Sequence, residues 1–364
     1  MRRARWIAPW KDSLEKPSIY HCISRVVERR YAFGVEEKEK FRMFMRMYEN
    51  FSGCRVLSYC LMSNHVHLLV EVPPKPEEGI SDDVFLKRLS SLYNAAFVAD
   101  VAAQLDEARH EGGLEGENAE RVEEIKARFT YRMHDLGQFM KGLLQRFTQW
   151  FNGQHKRKGR LWEDRFKSVI VESGTAARMI AAYIDLNPVR AGIVAEPAEY
   201  RWSSYGEAIG GGAKGNGKKA RECLVRAIMS DNSSVGFDAA MWKEASKEYR
   251  RLMDMALERK PSNASVVVRS EQVEKSLERS RKRLSPHAVG GENRLGELSM
   301  AKILRTRVRY FSDGAVIGSK EFVNEAFTGA RERFSKRRKD GARKMRGAGK
   351  EAGGQLWSVR DLRV

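Results

Sequence analysis

The stretch "SNHVHLLVEVP", residues 63–73, decides the fold prediction. From residue 65 onward it alternates with the two-residue period of a β-strand, with valine or leucine at every even position. Because successive side chains of a strand point to opposite faces, His65 and His67 share one face and the valine-rich set shares the other. Two neighbouring imidazoles can bind one divalent metal ion. A pair of solvated or hydrogen-bonded histidines is the alternative.

The segments around this strand predict a ferredoxin-like sheet. Apolar periodicity, turn residues and an N-cap serine at position 81 indicate a strand at 18–27, a helix at 36–51, a strand at 54–62, a tight turn at Ser63 and Asn64, and a second helix at 81–97. This β-α-β-β-α order is typical of a half-wound antiparallel sheet. We therefore predict an α+β protein with a ferredoxin-like antiparallel sheet, helices on one face, and a mostly helical, basic C-terminal extension.

Further along the chain, the composition predicts an insertion and a change of domain. Residues 97–130 are acidic and repetitive, as expected of a helical insertion at the solvated surface. An amphipathic helix follows and ends near Asn152 and Gly153; then come a strand at 165–173 and a helix stopped by Pro188. The glycine-rich segment 209–219 indicates a flexible linker.

The predicted domain boundaries follow from these changes. Two helices are expected around "FSDGAVIGS" (311–319), and residues 331–350 are dense in lysine and arginine. That density is typical either of a solvated surface or of a tail that binds phosphates. The predicted parts are a catalytic domain (1–205), a linker with a helical segment (206–295), and a basic, helical C-terminal region with potential DNA binding (296–364).

Composition points to a polyanionic partner. The 364 residues include 67 Lys and Arg against 48 Asp and Glu, a formal net charge of +19. Nucleic acid is the expected partner, because no apolar run is long enough for a transmembrane helix. The first residues lack the apolar core of a signal peptide, and the four cysteines form no C-x-x-C pair. We therefore expect reduced thiols in a cytoplasmic protein, with no membrane partner.

Two of the cysteines, Cys54 and Cys60, lie close to the histidines in sequence. A structural zinc site is therefore an alternative to the simple histidine pair. The spacing C-x5-C-x4-H-x-H is not a standard zinc pattern, however, and both cysteines fall on the predicted strand 54–62. We predict that they are core residues.

A metal ion bound next to nucleic acid suggests phosphodiester cleavage. The metal would polarise the phosphate, and water, serine or tyrosine could attack it. Attack by a tyrosine would conserve the bond energy in a phosphotyrosine, which a later hydroxyl group can reverse.

Three segments of the sequence together indicate a specific protein family. "YCLMSNHVHLLVEVP" (59–73), followed by "GRLWEDRFKSVIVES" (159–173) and "YIDLNPVRAGIV" (183–194), resembles the IS200-like transposases. These are the single-tyrosine members of the HUH nucleases, named for a His-hydrophobic-His motif. The Tyr-Ile-x-x-Asn-Pro segment is similar to that of the REP-associated tyrosine transposases. The resemblance covers roughly residues 17–205.

The resemblance implies a role for each matching residue. His65 and His67 would bind a divalent metal, Mg²⁺ or Mn²⁺, and Tyr183 would be the nucleophile that forms a 5′-phosphotyrosine. Asn187 stands four residues later, where the family pattern commonly has a glutamine as third metal ligand. Pro188 is expected to push Asn187 out of helical geometry. The implied activity is the nicking and rejoining of single-stranded or stem-loop DNA.

Alternatives to this assignment are open. Tyr183 would otherwise be a half-buried tyrosine whose ring packs on the sheet. Tyr200 and Tyr205 are rival nucleophiles, but they are expected to lie in a loop with Trp202 and to be packing aromatic residues. The chain could also be a catalytically silent, sequence-specific DNA-binding protein or regulator, or an initiator of replication or plasmid relaxation. The sequence leaves a monomer and a homodimer both open.

A set of basic residues with interleaved aromatic residues is predicted to bind DNA. Phosphates would pair with the cations, and bases would stack on Phe147, Trp150 and Trp162. The alternative is solubilising surface charge with core aromatic residues. The predicted DNA-binding residues are Arg146, Lys156, Arg157, Lys158, Arg160, Arg165 and Lys167.

Overall fold

The computed structural model describes residues 5–110, 117–212, 214–229, 239–257, 291–306, 309–345 and 356–360. Within these ranges the fold is α+β, which confirms the predicted class. The strands are β1 (Ser18–Arg25), β2 (Arg55–Leu61), β3 (His65–Val72), β4 (Lys167–Val171), β5 (Val316–Gly318), β6 (Arg343–Lys344) and β7 (Trp357–Val359).

Helices make up most of the remaining described structure. None of them is long and apolar enough to cross a membrane. They are α1 (Val35–Ser52), α2 (Asp82–Leu89), α3 (Ala95–His110), α4 (Glu117–Thr130), α5 (Leu136–Gln154), α6 (Thr175–Asp185), α7 (Asn187–Arg190), α8 (Ser204–Gly210), α9 (Gly215–Ile228), α10 (Ala239–Leu257), α11 (Gly291–Thr306), α12 (Arg309–Asp313) and α13 (Lys320–Thr328).

The sheet contains the predicted ferredoxin-like unit. Its strand order is β2-β3-β1-β4-β5-β7-β6, and the first four of these strands pair antiparallel. A tight turn at Ser63 and Asn64 joins β2 to β3, with the Met62 amide donating to the His65 carbonyl at 2.9 Å. The predicted strands, the turn and the helix α1 are therefore confirmed.

The two faces of β3 differ as the alternation predicts. Val66, Leu68 and Val70 are buried in the apolar core beneath α1 and α5. Leu69 lies in the core on the other face, beneath α6. His65 and His67 are on the same side as Leu69, because they differ from it by even numbers of residues.

The helices that belong to the ferredoxin-like unit lie on one face of the sheet, as predicted, and helices that follow β4 in the chain cover the other face. The layer of α1 and α5 covers one face, and α6 with α8 to α11 covers the other. The physical reason is that β1 and β4 are apolar on both sides: Ile19 and Val171 lie in one core, and Tyr20 and Ile170 in the other.

The acidic insertion is helical, as predicted, but it is more than a solvated surface. Helices α2, α3 and α4 enclose a small apolar core that includes Phe85, Leu105 and Phe129. The single helix predicted at 81–97 is two helices, α2 and α3. The break occurs because the Asn94 side-chain oxygen accepts a hydrogen bond from the Phe97 amide at 2.9 Å, so that Asn94 is the N-cap of a new helix.

The described C-terminal part of the chain is mostly helical, as predicted, but the predicted boundary at 205 does not separate it from the sheet. Strand β5 pairs in parallel with β4, and β7 and β6 continue the same sheet. The sequence prediction missed β5 because Val316–Gly318 is too short to show a period. Residues 258–290 and 346–355 of the predicted parts lie outside the described residues.

Most of the predicted linker at 209–219 lies in helices, since α8 ends at Gly210 and α9 begins at Gly215. A Cβ atom on Gly217 would lie 2.4 Å from the Gly211 carbonyl oxygen. Glycine at position 217 therefore allows a close approach of two backbones.

The cysteines are core residues, as predicted. Cys54 is buried in the layer of α1 and α5, whereas Cys60 is buried on the opposite face of the sheet, beneath α6.

Candidate active site

Three histidines meet on the sheet face covered by α6. The ring centroids of His65 and His67 are 4.9 Å apart, and that of His21 on β1 is 5.2 Å from His67 in a stacked arrangement. The strand register explains the contact: His67 lies opposite Ile23 of β1, and His21 is two residues further along the same face. Sequence reasoning missed His21, whose strand carries no recognisable motif.

Each histidine of the pair uses Nδ1 for a hydrogen bond. His65 Nδ1 lies 2.6 Å from the Asn64 side-chain oxygen, and His67 Nδ1 lies 3.0 Å from His21 Nε2. The Asn64 amide nitrogen donates to the Arg29 carbonyl, which fixes the amide orientation. The oxygen of Asn64 therefore faces His65, and His65 Nδ1 carries the proton.

This arrangement fits a metal site. A ligating histidine typically donates one ring N–H to the protein and binds the metal with its other nitrogen. Among the residues the structure describes, His, Cys, Asp and Glu side chains form no metal-binding group of three or more. His21 uses both of its ring nitrogens in hydrogen bonds, so the protein would contribute the two imidazoles of His65 and His67, and oxygen atoms would complete the coordination of Mg²⁺ or Mn²⁺.

Burial keeps the histidines neutral. It lowers the pKa of His65 to about 4, with a smaller effect from the Arg25 charge. Burial also lowers the pKa of His67 well below its usual value, and the neighbouring His65 and His21 add to the shift. Neutral imidazoles at pH 7 have the lone pair that a metal ligand requires.

Tyr183 on α6 lies next to these histidines. Its ring centroid is 5.6 Å from that of His67 and 5.8 Å from that of His21. The Arg190 guanidinium lies 5.4 Å from the Tyr183 ring centroid, and the Phe311 ring 5.1 Å from it. Tyr183 is 8% exposed. The structure thus brings together Tyr183, His65 and His67, three of the four site residues predicted from the motifs.

Arg190 also lies next to Tyr183, and the sequence analysis did not identify it as a site residue. It donates to the Leu304 carbonyl at 2.6 Å, and burial lowers its pKa to about 10, an effect that Tyr183 partly opposes. The guanidinium is therefore still a cation at pH 7, next to the predicted nucleophile. It follows Tyr183 by seven residues, which is two helical turns, but α6 ends between them.

The rival tyrosines have structural roles. Tyr200 donates to the Leu61 carbonyl at 2.6 Å and is buried. Tyr205 packs against Tyr249, and burial raises its pKa to about 12. Both are packing residues, as the sequence interpretation expected, but Tyr205 lies in helix α8 and not in the expected loop.

Asn187 lies where the chain leaves α6. Its side-chain nitrogen donates to the carbonyls of Tyr183 and Ile184 at 2.9 and 3.3 Å, so it caps the end of this helix. Asn187 is the first residue of α7, so the expectation that Pro188 pushes it out of helical geometry is wrong; the break falls one residue earlier, at Leu186, because Pro188 is accommodated in the first turn of α7. With the nitrogen held by the helix, the amide oxygen is the atom that would bind a metal. Its role as a ligand stays a prediction.

Asp185 anchors the helix that carries Tyr183. Its two carboxyl oxygens accept from the Tyr205 amide at 3.0 Å and the Tyr249 hydroxyl at 2.7 Å. It therefore connects α6 to α8 and α10. Burial raises the pKa of Asp185 to about 7, although these hydrogen bonds oppose the shift.

This raised pKa predicts a loss of stability with rising pH. Below about pH 4 the carboxyl is protonated in both the folded and the unfolded chain, and its contribution is fully present. As the pH rises from about 4 to about 7, only the unfolded chain ionises, so the free energy of unfolding falls; above pH 7 both states ionise and the loss is complete. We expect the free energy of unfolding, measured with urea, to decrease between pH 4 and 8. The decrease for wild type should exceed that for Asp185→Asn by up to about 4 kcal/mol. Asp12→Asn, at an exposed position, should keep the wild-type profile; a wild-type profile for Asp185→Asn would contradict the prediction.

Most of the predicted DNA-binding residues lie at one end of the sheet. The loop 155–166 runs beside the end of β1, because the Glu163 amide donates to the Arg25 carbonyl and the Val27 amide to the Leu161 carbonyl. Arg25 pairs with His65, so this is the histidine end. The exposed members of the set are Lys156, Lys158, Arg160, Arg165 and Lys167.

The other two members, Arg146 and Arg157, are partly buried. Arg146 stacks on Phe44 from the middle of α5, and Arg157 donates to the Arg160 carbonyl. Two of the interleaved aromatic residues, Phe147 and Trp162, are core residues, which is the alternative to stacking on DNA bases. Phe147 is fully buried, and Trp162 donates to Thr148 while packing on the same core.

Comparisons with known proteins agree with the motifs. Residues 16–84 match the family model described as "Transposase IS200 like". A search of curated proteins gave no match. Among solved structures, the "REP associates tyrosine transposase bound to a REP hairpin" is similar at 11% identity and a TM-score of 0.31, over 59% of this chain and 88% of that chain. A similarity this low supports no conclusion about function. The predicted resemblance to the IS200-like transposases is confirmed for residues 16–84, the segment that includes both histidines of the pair.

Proposed function

We propose that this protein is a metal-dependent DNA strand transferase that nicks and rejoins single-stranded or stem-loop DNA. The observation that carries the proposal is the position of Tyr183 next to the histidine pair, with 5.6 Å between the ring centroids of Tyr183 and His67. A nucleophile beside two neutral imidazoles is what phosphodiester transfer through a covalent intermediate requires.

The chemistry follows from these side chains. The Tyr183 oxygen attacks the phosphorus and loses its proton to solvent; an O–P bond forms, and the bond from phosphorus to the 3′-oxygen breaks. The DNA 3′-oxygen takes up a proton, and the 5′-phosphate stays on the tyrosine. A bound Mg²⁺ or Mn²⁺, held by His65 and His67, would polarise the phosphate and offset its developing charge. Arg190 adds fixed positive charge beside the tyrosine. Rejoining is the same step in reverse.

A nicking assay tests the proposal. The substrate is single-stranded DNA from the flanks of the protein's own gene, with and without predicted hairpins, in Mg²⁺ or Mn²⁺. We expect cleavage with the protein attached to the 5′-phosphate end. Tight binding of these strands without any cleavage would instead support the alternative, a catalytically silent DNA-binding regulator on the same fold.

The exposed basic residues at the histidine end should set the affinity for DNA. Each phosphate contact that is lost should reduce the slope of log affinity against log salt by about 0.7 for single strands. We therefore expect Lys158→Gln, Arg160→Gln and Lys167→Gln, combined in one protein, to weaken binding and to flatten the slope by about 2. Fluorescence anisotropy over a salt series measures both quantities.

A cation elsewhere on the protein is the matched control. Lys87 is exposed on α2, in the insertion. Lys87→Gln should leave the slope unchanged. If the triple variant keeps the wild-type slope, the basic loop is a solvated surface and the DNA lies elsewhere.

A further inference from the structure

We propose that His21 is a positioning residue that holds the proton of His67 on Nδ1 and thereby keeps His67 Nε2 free to bind the metal. The inference rests on the proposed function, since it assigns a role at the same metal site. It concerns a residue that lies outside the His-hydrophobic-His motif, on a different strand.

The direction of the hydrogen bonds begins at the backbone. His21 Nδ1 lies 2.8 Å from the carbonyl oxygen of Phe311. A carbonyl oxygen can only accept, so the proton of this bond is on His21 Nδ1. In a neutral imidazole the other nitrogen is then an acceptor. His21 is fully buried, and a buried imidazolium without a counter-charge would be costly.

The hydrogen bond between His21 and His67 then determines which nitrogen of His67 is protonated. His21 Nε2 lies 3.0 Å from His67 Nδ1. Because His21 Nε2 is the acceptor, the proton of this bond belongs to His67 Nδ1. His67 Nε2 is then unprotonated. His67 is 3% exposed, so water competes little for this bond.

The same logic already applies to His65. Its Nδ1 donates to Asn64, which in turn is oriented by the Arg29 carbonyl. Both histidines of the pair therefore have the same tautomer, and each is fixed through one intermediate side chain by a backbone carbonyl. For His65 the intermediate is the neighbouring residue in sequence, and for His67 it is His21. This shared tautomer is the one in which two Nε2 lone pairs are available for one ion.

Two variants separate the two bonds of His21. Asparagine reaches about as far as imidazole Nδ1, so His21→Asn keeps a donor for the Phe311 carbonyl and removes the acceptor for His67. Glutamine reaches about as far as Nε2, so His21→Gln keeps an acceptor for His67 and gives up the bond to Phe311. Each variant loses one buried hydrogen bond, but only His21→Asn releases the His67 proton. Thermal unfolding checks that both are folded.

The closing experiment has two readouts. In metal-free wild type, ¹⁵N NMR of the imidazoles should show His21 and His67 both protonated on Nδ1; a proton on His67 Nε2 would overturn the inference. Titration with Mn²⁺, followed by electron paramagnetic resonance, should then show binding weakened about 10- to 100-fold in His21→Asn and largely kept in His21→Gln. Equally weakened Mn²⁺ binding in both variants would mean that His21 is only a packing residue, and this result would also overturn the inference. Absence of Mn²⁺ binding by wild type would instead overturn the proposed metal site. The metal-free NMR experiment tests the role of His21 without the metal, so the two failures can be distinguished.

Discussion

Tyr183→Phe should abolish covalent attachment of the protein to DNA and reduce cleavage by more than about 10³-fold. The substitution deletes one oxygen atom and retains the ring, which packs against His67, His21 and Phe311. Loss of activity therefore cannot come from a cavity in the core. Denaturing gels with 3′-labelled single-stranded substrate should show a protein–DNA adduct for wild type and none for the variant.

Two tyrosines of the same region provide the controls. Tyr200→Phe removes the hydrogen bond to the Leu61 carbonyl, and Tyr205→Phe alters only a packed aromatic pair. Both variants should still form the adduct. An adduct of normal yield in Tyr183→Phe would mean that the nucleophile lies elsewhere, and the transposase assignment would have to be abandoned.

Removal of the metal or of one histidine should have an effect of similar size. We expect no cleavage in EDTA, recovery on addition of Mg²⁺ or Mn²⁺, and a loss of more than about 10³-fold in His67→Ala, because a metal supplies several kcal/mol of charge stabilisation in the transition state. DNA binding should be nearly unchanged, because we propose that the affinity comes from cations outside the histidine pair. Single-turnover cleavage and anisotropy, measured on the same preparation, separate the two effects.

His110 is the matched histidine for this test. It lies at the end of α3, in the insertion, where its Nδ1 is 2.7 Å from the Asp106 carbonyl oxygen. His110→Ala should cleave DNA like wild type. Undiminished cleavage in EDTA would remove the metal from the mechanism and leave the two imidazoles without their proposed task.

The part of the site that could be predicted is the part with a local signal. A two-residue alternation places His65 and His67 on one face whatever the rest of the sheet does. Tyr183 lies on a helix with strong periodicity, and the family resemblance singled it out from Tyr200 and Tyr205. The core role of the cysteines follows from the same strand pattern.

The remainder depends on which strands pair and in what register. His21 reaches His67 only because β1 lies between β3 and β4, a fact that no segment of 10 or 20 residues contains. Phe311 reaches the site across 290 residues of sequence from its partner His21. The three residues of β5 have no pattern of their own and are a strand because β4 offers an edge. These features are consequences of tertiary packing.

The parallel pairing of β4 with β5 has a consequence for protein synthesis. Ribosomes deliver a chain from its N-terminus, so the antiparallel unit from β1 to β4 can assemble on a nascent chain while β5 has not yet been translated. The carbonyl that orients His21 arrives only with Phe311, five residues before β5. An exposed β4 edge during that interval is a template for mispairing with other chains. Translation past this point therefore both closes the edge and completes the surroundings of Tyr183.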